Sequence, residues 1–303
     1  MQRIKLIYLA GTTRSGSTLL TSLLAEFNDC VTVGEPVHLW NPSISENYCS
    51  CGNKYQDCVL WGRILREHFQ ADGFQEIQPS LHSPMHIIQS ICILLGFKGF
   101  INPEYLELIK KLYASICAVS EAKIIVDESK FLPYLFVLTQ TRYFDIHVIH
   151  ILRDPRATAF SWKRAKKHVW GSMMTTLPWH VSARRWAAEQ FLFWISNCFV
   201  SKEKYTQVRY EDFIEKPKMT LDRIVSRTGL KGASPFISDH QFAITHENHL
   251  VASNPSAPKP GINTLYQDLE WQTNMPGWAK MVVTLICWPM MLVYGYPIFP
   301  KNG

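Results

Sequence analysis

The stretch that decides the fold is AGTTRSGSTLL, residues 10–20, which follows the compact apolar run RIKLIYLA at residues 3–10. Its two glycines, Gly11 and Gly16, have the spacing of a nucleotide-binding P-loop, G-x-x-x-x-G-K-[ST]. Glycines let the backbone turn its N–H groups inward, and the N-terminus of the leucine-rich helix that follows adds partial positive charge. The sequence therefore predicts a strand, an anion-binding loop and a helix.

This loop departs from the P-loop pattern at one position, because Ser17 stands where the lysine is expected. Thr18 keeps the Ser/Thr position, and the cation of the loop is Arg14. A magnesium-dependent NTPase uses that lysine to reach the outer phosphates of its nucleotide. The departure argues against ATP or GTP hydrolysis and favours another tetrahedral anion.

The composition indicates a globular protein with an anionic ligand. The chain has 303 residues, 47% of them hydrophobic and 18% charged, with a net charge of +6 and no low-complexity tract or internal repeat. It is long enough to bury a large core, and its modest positive charge suits an anionic ligand better than nucleic acid. We expect a single domain over residues 1–303 and no nucleic-acid partner; the composition leaves open whether the protein is a monomer or a homodimer.

Neither end of the sequence is typical of a secretory or membrane-spanning segment. Arg14 follows the first apolar run closely, so this run predicts a buried strand rather than a signal peptide. The segment MVVTLICWPMMLVYGYPIF, residues 281–299, contains Pro289, and its apolar part is shorter than the roughly 20 residues that a spanning helix needs. It predicts a core helix, and we expect a cytoplasmic protein with no membrane span.

Short apolar strands alternate with helical patterns between residues 1 and 230. This alternation predicts the α/β class, with a central parallel sheet covered by helices on both faces, in three α/β/α layers. Ligands of such sheets bind beyond the carboxyl ends of the strands. The side chains that follow the predicted strands are those of Arg14, Glu35, Lys130 and Arg153.

A second segment carries the next clue, IHILRDPRATAFSWKR at residues 149–164, where Arg153 ends a strand and Ser161 lies eight residues further on. Taken alone, it is more typical of a strand-to-helix turn with a surface salt bridge. Taken together, TRSGSTLL (13–20) and LRDPRATAFS (152–161) resemble the two signature segments of sulfotransferases that use 3'-phosphoadenosine-5'-phosphosulfate (PAPS). The resemblance extends over most of the chain and is greatest to the bacterial-type branch. The further matching stretches are VGEPVHLW, the Cys-rich CSCG...CVLW, IIVDESK, VRYEDF and YGY.

The resemblance implies a P-loop-like sulfotransferase fold and a nucleotide site with no bridging metal ion. It implies that the first segment holds the 5'-phosphosulfate of PAPS through Arg14, Ser15, Gly16, Ser17 and Thr18. Arg153 and Ser161 would hold the 3'-phosphate, and Tyr210 would contact the adenine unless it packs in the core. The late adenylate clamp of the cytosolic enzymes is weak here, since only Lys259 in PKPG (258–261) approaches it.

In-line sulfuryl transfer needs charge relief on the departing oxygen, a base for the acceptor and alignment of both reactants. We predict that Arg14 supplies charge relief, although it could instead only tether the loop. The predicted base is Glu35, at the position of the base in related branches, and His38 is its rival. A raised pKa would suit Glu35 to this role at neutral pH, whereas pairing with a cation would indicate a structural role.

The acceptor site is the least determined part of the sequence. Lys130 could contact the sulfonate or the acceptor, or form an ion pair with Asp127 or Glu128, and His38 could also contact the acceptor. Trp170 lies in an aromatic-rich stretch at residues 165–181, which predicts either an acceptor lid or plain packing. We expect a small-molecule acceptor with a hydroxyl or amine, such as a natural product. A small-molecule kinase or NTPase and a non-catalytic nucleotide-binding relative are the alternatives.

Eight cysteines divide into two groups. Five lie singly in apolar surroundings and predict buried thiols: Cys30, Cys92, Cys117, Cys198 and Cys287. The others, Cys49, Cys51 and Cys58, lie in or beside a loop-like insert at residues 41–61 and could bind a metal ion with a histidine such as His38, or form a disulfide. Because their spacing lacks the paired C-x2-C of common zinc sites, no metal site is assigned from the sequence, and both alternatives stay open.

Overall fold

A five-stranded parallel sheet forms the centre of the fold in a computed structural model. The strands are β1 (Ile4–Gly11), β2 (Cys30–Thr32), β3 (Ile124–Lys130), β4 (Phe144–Leu152) and β5 (Tyr205–Arg209). Their order across the sheet is β2-β3-β1-β4-β5, and every pairing is parallel. The structure describes residues 3–40, 48–71, 103–165, 173, 175–197, 201–252 and 257–299.

The central strand β1 shows why these apolar runs form a sheet that is buried on both faces. Leu6 and Tyr8 enter the core on one face, and Ile7 and Leu9 enter the core on the other. A strand with both faces covered must be apolar throughout, rather than alternating with polar residues. The predicted three-layer α/β/α architecture is therefore confirmed.

Helices cover both faces of the sheet and follow the strands as the sequence predicts. They are α1 (Ser17–Leu24), α2 (Val59–Ile64), α3 (Pro103–Ser120), α4 (Leu132–Thr139), α5 (Pro155–Lys163), α6 (Trp179–Asn197), α7 (Tyr210–Glu215), α8 (Pro217–Thr228), α9 (Glu270–Asn274) and α10 (Gly277–Val293). Helices α2, α3 and α4 contribute to one core, α1, α7 and α8 to the opposite core, and α5, α6 and α10 to a third. Within the described residues, helices therefore pack against both faces of the sheet.

The last helix, α10, differs from its prediction as a core helix. One face is buried through residues that include Val283 and Cys287, whereas the other face exposes a row of apolar side chains. That row consists of Trp278, Met281, Leu285, Trp288 and Leu292. The difference arises because, within the described residues, α10 packs with one face against α5 and α6. None of the described helices is long and apolar enough to cross a lipid bilayer.

One element lies outside the predicted alternation of parallel strands and helices. A small antiparallel sheet of β6 (Gln241–Ile244) and β7 (Gly261–Thr264) follows the parallel sheet.

The predicted insert at 41–61 is described from residue 48 onward, and there α2 begins at Val59, before the predicted loop ends. Of the predicted lid at 165–181, residues 166–172 and 174 lie outside the described residues.

The isolated cysteines are less uniformly buried than predicted. Cys287 is buried on α10, but Cys30 and Cys117 are partly exposed. Cys30 starts the edge strand β2, and Cys117 lies on the flank of α3, so neither is fully covered. Cys92 and Cys198 lie outside the described residues.

His150, near the end of β4, leads to a prediction about the pH dependence of stability. It is fully buried, and its ring nitrogens lie 2.8 Å from Gln190 Oε1 and 2.6 Å from the Tyr205 hydroxyl. Burial lowers its pKa from 6.5 to about 3. The imidazole therefore stays neutral in the folded protein over a range in which the unfolded chain gains a proton, so its contribution to stability is complete above pH 6.5 and falls as the pH is lowered towards 3.

We expect the unfolding free energy of the wild type, relative to His150→Gln, to fall by about 2 kcal/mol between pH 7 and pH 5. Urea unfolding at the two pH values measures this difference. His240→Gln, at an exposed position, is the control. A wild-type advantage over His150→Gln that does not change with pH would contradict the prediction.

Candidate active site

A cavity of about 590 Å³ opens at the carboxyl ends of the parallel strands. Its charged lining consists of the cations Arg14, Lys130, Arg153, Arg164 and Lys259 and the carboxylates Glu35 and Asp268. The positive excess favours a ligand with several negative charges. Of the other predicted site residues, Gly16, Ser17, Thr18, Ser161 and Tyr210 also line this cavity.

The loop after β1 is wound tightly, and Gly16 shows why glycine is needed there. Its φ is +92°, in the left-handed region, and a Cβ added to it would lie 2.5 Å from Cδ2 of Tyr210. Helix α1 begins at the next residue, so its N-terminus is directed at the loop. Arg14 is also left-handed, with φ 73°, and its guanidinium lies 5.2 Å from the ring centroid of Trp162. Ser15 is fully buried beneath the loop and does not line the cavity.

Two hydroxyl groups at the end of the loop, those of Ser17 and Thr18, bind one buried carboxylate, Glu128. Ser17 Oγ and Thr18 Oγ1 donate hydrogen bonds to Glu128 Oε1 over 2.8 and 2.7 Å. Lys130 Nζ donates to the same oxygen over 3.1 Å, so the ion pair that the sequence offered as an alternative is present. Glu128 is thus part of the site, although the sequence suggested it only as a partner of Lys130.

Lys130 also joins Glu35 to this cluster. Its Nζ lies 2.7 Å from Glu35 Oε1, and His38 Nε2 lies 3.3 Å from the other carboxylate oxygen. Burial alone would raise the pKa of Glu35, but Lys130 and then His38 more than offset this, so its pKa is lowered. The carboxylate is therefore ionised and paired, in contrast to the raised pKa that would suit a base.

A β-bulge helps to set the position of Lys130. In the pairing of β1 with β3, Tyr8 faces Asp127 but Ala10 faces Lys130, so β3 has one extra residue at this point. Lys130 has a left-handed φ of 61°. Such conformations in residues other than glycine cost on the order of 1–3 kcal/mol and occur often at functional sites.

Arg153 connects the second signature segment to the first. Its Nη1 donates to the carbonyl oxygen of Arg14 over 3.1 Å, and its guanidinium lies 4.6 Å from the ring centroid of Tyr210. Ser161, two turns into α5, is buried and lines the same cavity. The two segments therefore meet, with Tyr210 packed between Gly16 and Arg153.

Asp268 and Arg164 are site residues that the sequence did not indicate. Asp268 Oδ2 accepts hydrogen bonds from Arg153 Nη2 at 3.1 Å and from Arg164 Nη2 at 2.5 Å. Burial raises the pKa of Asp268, but Arg153 and Arg164 together lower it further than burial raises it. Arg164 is the last residue of the segment 149–164, but no motif in that segment singles it out. Asp268 lies in a loop far along the chain, and the residues around it form no recognisable motif.

Trp170 is the one predicted site residue that the structure does not place, because it lies outside the described residues. His38 contacts Glu35 and does not line the cavity. Lys259, which the sequence offered only as a weak clamp, does line the cavity.

Comparison with known proteins identifies a family and solved structures of similar fold. A family model described as "Sulfotransferase family" matches residues 7–234. The sulfotransferase domain of the Synechococcus PCC 7002 olefin synthase is 17% identical, with a TM-score of 0.54, over 98% of this chain and 96% of that one. The sulfotransferase domain from the curacin biosynthetic pathway is 16% identical, with a TM-score of 0.56, over 98% of this chain and 99% of that one. No curated protein matches the sequence significantly.

The close packing of Gly16 against Tyr210 leads to a prediction with a matched control. Gly229 also has a left-handed φ, 71°, but a Cβ added there would meet nothing within 4 Å. We expect Gly229→Ala to lower the unfolding free energy by about 1 kcal/mol, from backbone strain alone. Gly16→Ala should cost at least about 1 kcal/mol more, because the Tyr210 ring must also move. Equal losses in urea unfolding would show that the ring contact does not constrain the loop.

Proposed function

The chain belongs to the sulfotransferase family, and we propose that it transfers a sulfuryl group from PAPS to a hydroxyl or amine of a small-molecule acceptor. The observation that carries this proposal is the meeting of the two signature segments at one cationic cavity. Arg153 hydrogen-bonds the backbone of Arg14, and both line the cavity with Ser161 and Tyr210. Separate locations for the two segments would have left no site for a ligand with anionic groups at both ends.

The residues present suit a nucleotide with several negative charges. The Nε atoms of Arg153 and Arg164 are buried and have no hydrogen-bond partner within the described part of the chain. Buried donors of this kind normally find a partner, and an anionic ligand in the cavity would supply one. We assign the 5'-phosphosulfate to the loop residues Arg14, Gly16, Ser17 and Thr18. Ser15 would contribute through its backbone, because its buried side chain does not line the cavity. We assign the 3'-phosphate to Arg153 and Ser161, and the adenine contact to Tyr210.

PAPS, when bound, supplies an activated sulfuryl group and leaves as 3',5'-ADP. The cations that line the loop side of the cavity are Arg14 and Lys130, and we assign both to offsetting the negative charge that develops as the sulfuryl bond breaks. Lys130 is held charged, because burial lowers its pKa but Glu128 and Glu35 raise it more. No metal ion is required in this scheme, since two fixed cations serve the purpose.

Glu35 is the proposed base. Its carboxylate is already ionised, so it can accept a proton from the acceptor, and His38 orients it through the second oxygen. The ion pair with Lys130 makes it a weak base in the empty site. An anion in the cavity would compete for Lys130 and repel the carboxylate, and both effects raise the pKa of Glu35.

The acceptor is proposed at the level of chemical class. Lys130 and His38 lie beside Glu35, where an acceptor hydroxyl or amine would have to approach, and Trp170 stays a predicted acceptor contact. We favour a natural product, because the two compared domains belong to an olefin synthase and to the curacin pathway. A cytoplasmic location likewise stays a prediction.

The alternative functions differ in the nucleotide they would bind. A small-molecule kinase or NTPase would bind ATP with magnesium, and Ser17 in place of the P-loop lysine argues against it. A non-catalytic relative would bind 3',5'-ADP but transfer nothing. Binding and turnover therefore need separate experiments.

Thermal unfolding tests the nucleotide. We expect 3',5'-ADP without magnesium to raise the Tm, corresponding to about 2.7 kcal/mol at a concentration 100 times its Kd, and ATP with magnesium to give a smaller shift. Arg153→Lys, which keeps the charge but loses the planar guanidinium, should weaken 3',5'-ADP binding at least tenfold. Arg184→Ala, on the exposed side of α6, is the control. A larger shift with magnesium and ATP would favour the kinase.

Turnover tests Glu35. We expect Glu35→Gln to reduce transfer from sulfur-labelled PAPS at least about 100-fold, because the amide cannot accept the proton, while 3',5'-ADP binding stays within about threefold. His38→Gln should reduce transfer less, since it acts through Glu35. A phenol, a primary alcohol and a primary amine are the acceptors to be compared. Unchanged transfer by Glu35→Gln would assign the base elsewhere.

A further inference from the structure

Four metal-binding side chains meet where the insert contacts the segment that contains His249, and none of them lines the cavity. They are Cys49, Cys51, Cys58 and His249, and their ligand atoms all lie within 4.8 Å of one another. The three cysteines are free thiols. The histidine that joins them is His249, not His38, which lies against Glu35 instead.

The distances within this cluster suit a tetrahedral ion better than a disulfide. His249 Nδ1 lies 3.3 Å from Cys58 Sγ and 3.9 Å from Cys49 Sγ. Zinc–ligand bonds of 2.0–2.3 Å in a tetrahedron separate the ligand atoms by about 3.4–3.8 Å. A disulfide would join two sulfurs at about 2.05 Å and leave one thiol and the imidazole without a role.

A tight turn at residues 49–53 brings both Cys49 and Cys51 into the cluster. Gly52 N donates to Cys49 O over 2.9 Å, and Cys49 N donates to Asn53 O over 2.9 Å. Gly52 has a left-handed φ of 83°, which lets the chain reverse after Cys51. The turn explains how a C-x-C spacing can supply two ligands without the more common C-x2-C.

His249 is held in place by groups next to the cysteines. Ser50 Oγ donates to Asn248 O over 2.5 Å and accepts from Leu250 N over 2.7 Å. Trp61 Nε1 donates to His249 O over 2.9 Å. These hydrogen bonds fix the backbone on both sides of His249 and so hold its imidazole close to the cysteines.

We propose that Cys49, Cys51, Cys58 and His249 bind one zinc ion in a structural Cys3His site. Four protein ligands fill the tetrahedron and leave no open position for catalysis. On binding, the three thiols release their protons to solvent and the imidazole binds as the neutral ring through Nδ1, so the site carries a net charge of −1.

The zinc site would fix the segment that supports Glu35. Two residues beyond His249, Val251 N donates to Val33 O and Val251 O accepts from Glu35 N, both over 3.0 Å. A Cβ on Gly34 would lie 2.4 Å from Val251 O, so the two segments are in close contact. The ion therefore joins the insert to the backbone that holds Glu35, and its loss should destabilise that edge of the fold.

Metal analysis of the full chain, purified without chelators, tests the proposal. We expect about one zinc per chain, and replacement by Co²⁺ should give the visible absorption and thiolate charge-transfer bands of a tetrahedral site. Cys51→Ala should lose its zinc to a chelator at least ten times faster than the wild type, whereas Cys51→His should retain its zinc. Cys117→Ser, a partly exposed cysteine outside the cluster, is the control. Because Cys51 is only partly buried, its variants are the least disruptive of the set.

Three outcomes would overturn the proposal. The first is a wild-type zinc or Co²⁺ content no higher than that of a protein without this cluster. The second is a disulfide between two of Cys49, Cys51 and Cys58, found by peptide mapping under non-reducing conditions. The third is a Co²⁺ spectrum that Cys51→Ala leaves unchanged. Since zinc content is measured without nucleotide or acceptor, a failed sulfuryl-transfer assay does not affect this test.

Discussion

The compensation of buried charge at the end of β3 is the interaction on which the site depends. Lys130 lies between Glu35 and Glu128, and all three are largely buried. Removing Lys130 would leave two carboxylates without their cation in a poorly solvated place, which is strongly destabilising. Because Ser17 and Thr18 also bind Glu128, the same cluster fixes the start of α1 and the orientation of the loop before it.

The second half of the cavity is organised in a related way. Asp268 lies between the guanidinium groups of Arg153 and Arg164, much as an anionic ligand would. The pairing holds two arginines in position before any ligand arrives, which reduces the ordering that binding requires. It also means that an incoming anion must compete with the Asp268 carboxylate. The affinity of the anion therefore depends on how much more strongly it binds the two arginines than Asp268 does.

Sequence patterns predicted the elements of this protein better than its contacts. The strands and helices around the two signature segments could be predicted because apolar periodicity and glycine spacing are local properties. Asp268 and His249 could not, since each reaches its partners across more than 100 residues of chain. The lowered pKa of Glu35 was equally hidden, because it depends on Lys130 lying 2.7 Å away, and the exposed face of α10 depends on the layer in which that helix packs.

The bulge near the carboxyl end of β3 determines which sequence changes this part of the sheet can tolerate. Side chains alternate between the two faces of a strand, so removing one residue reverses the direction of every side chain beyond it. The extra residue between Asp127 and Lys130 thus sets which face of the sheet receives the lysine. A substitution at this point changes one side chain, whereas deletion of a single residue there would turn the ammonium group of Lys130 away from its carboxylates.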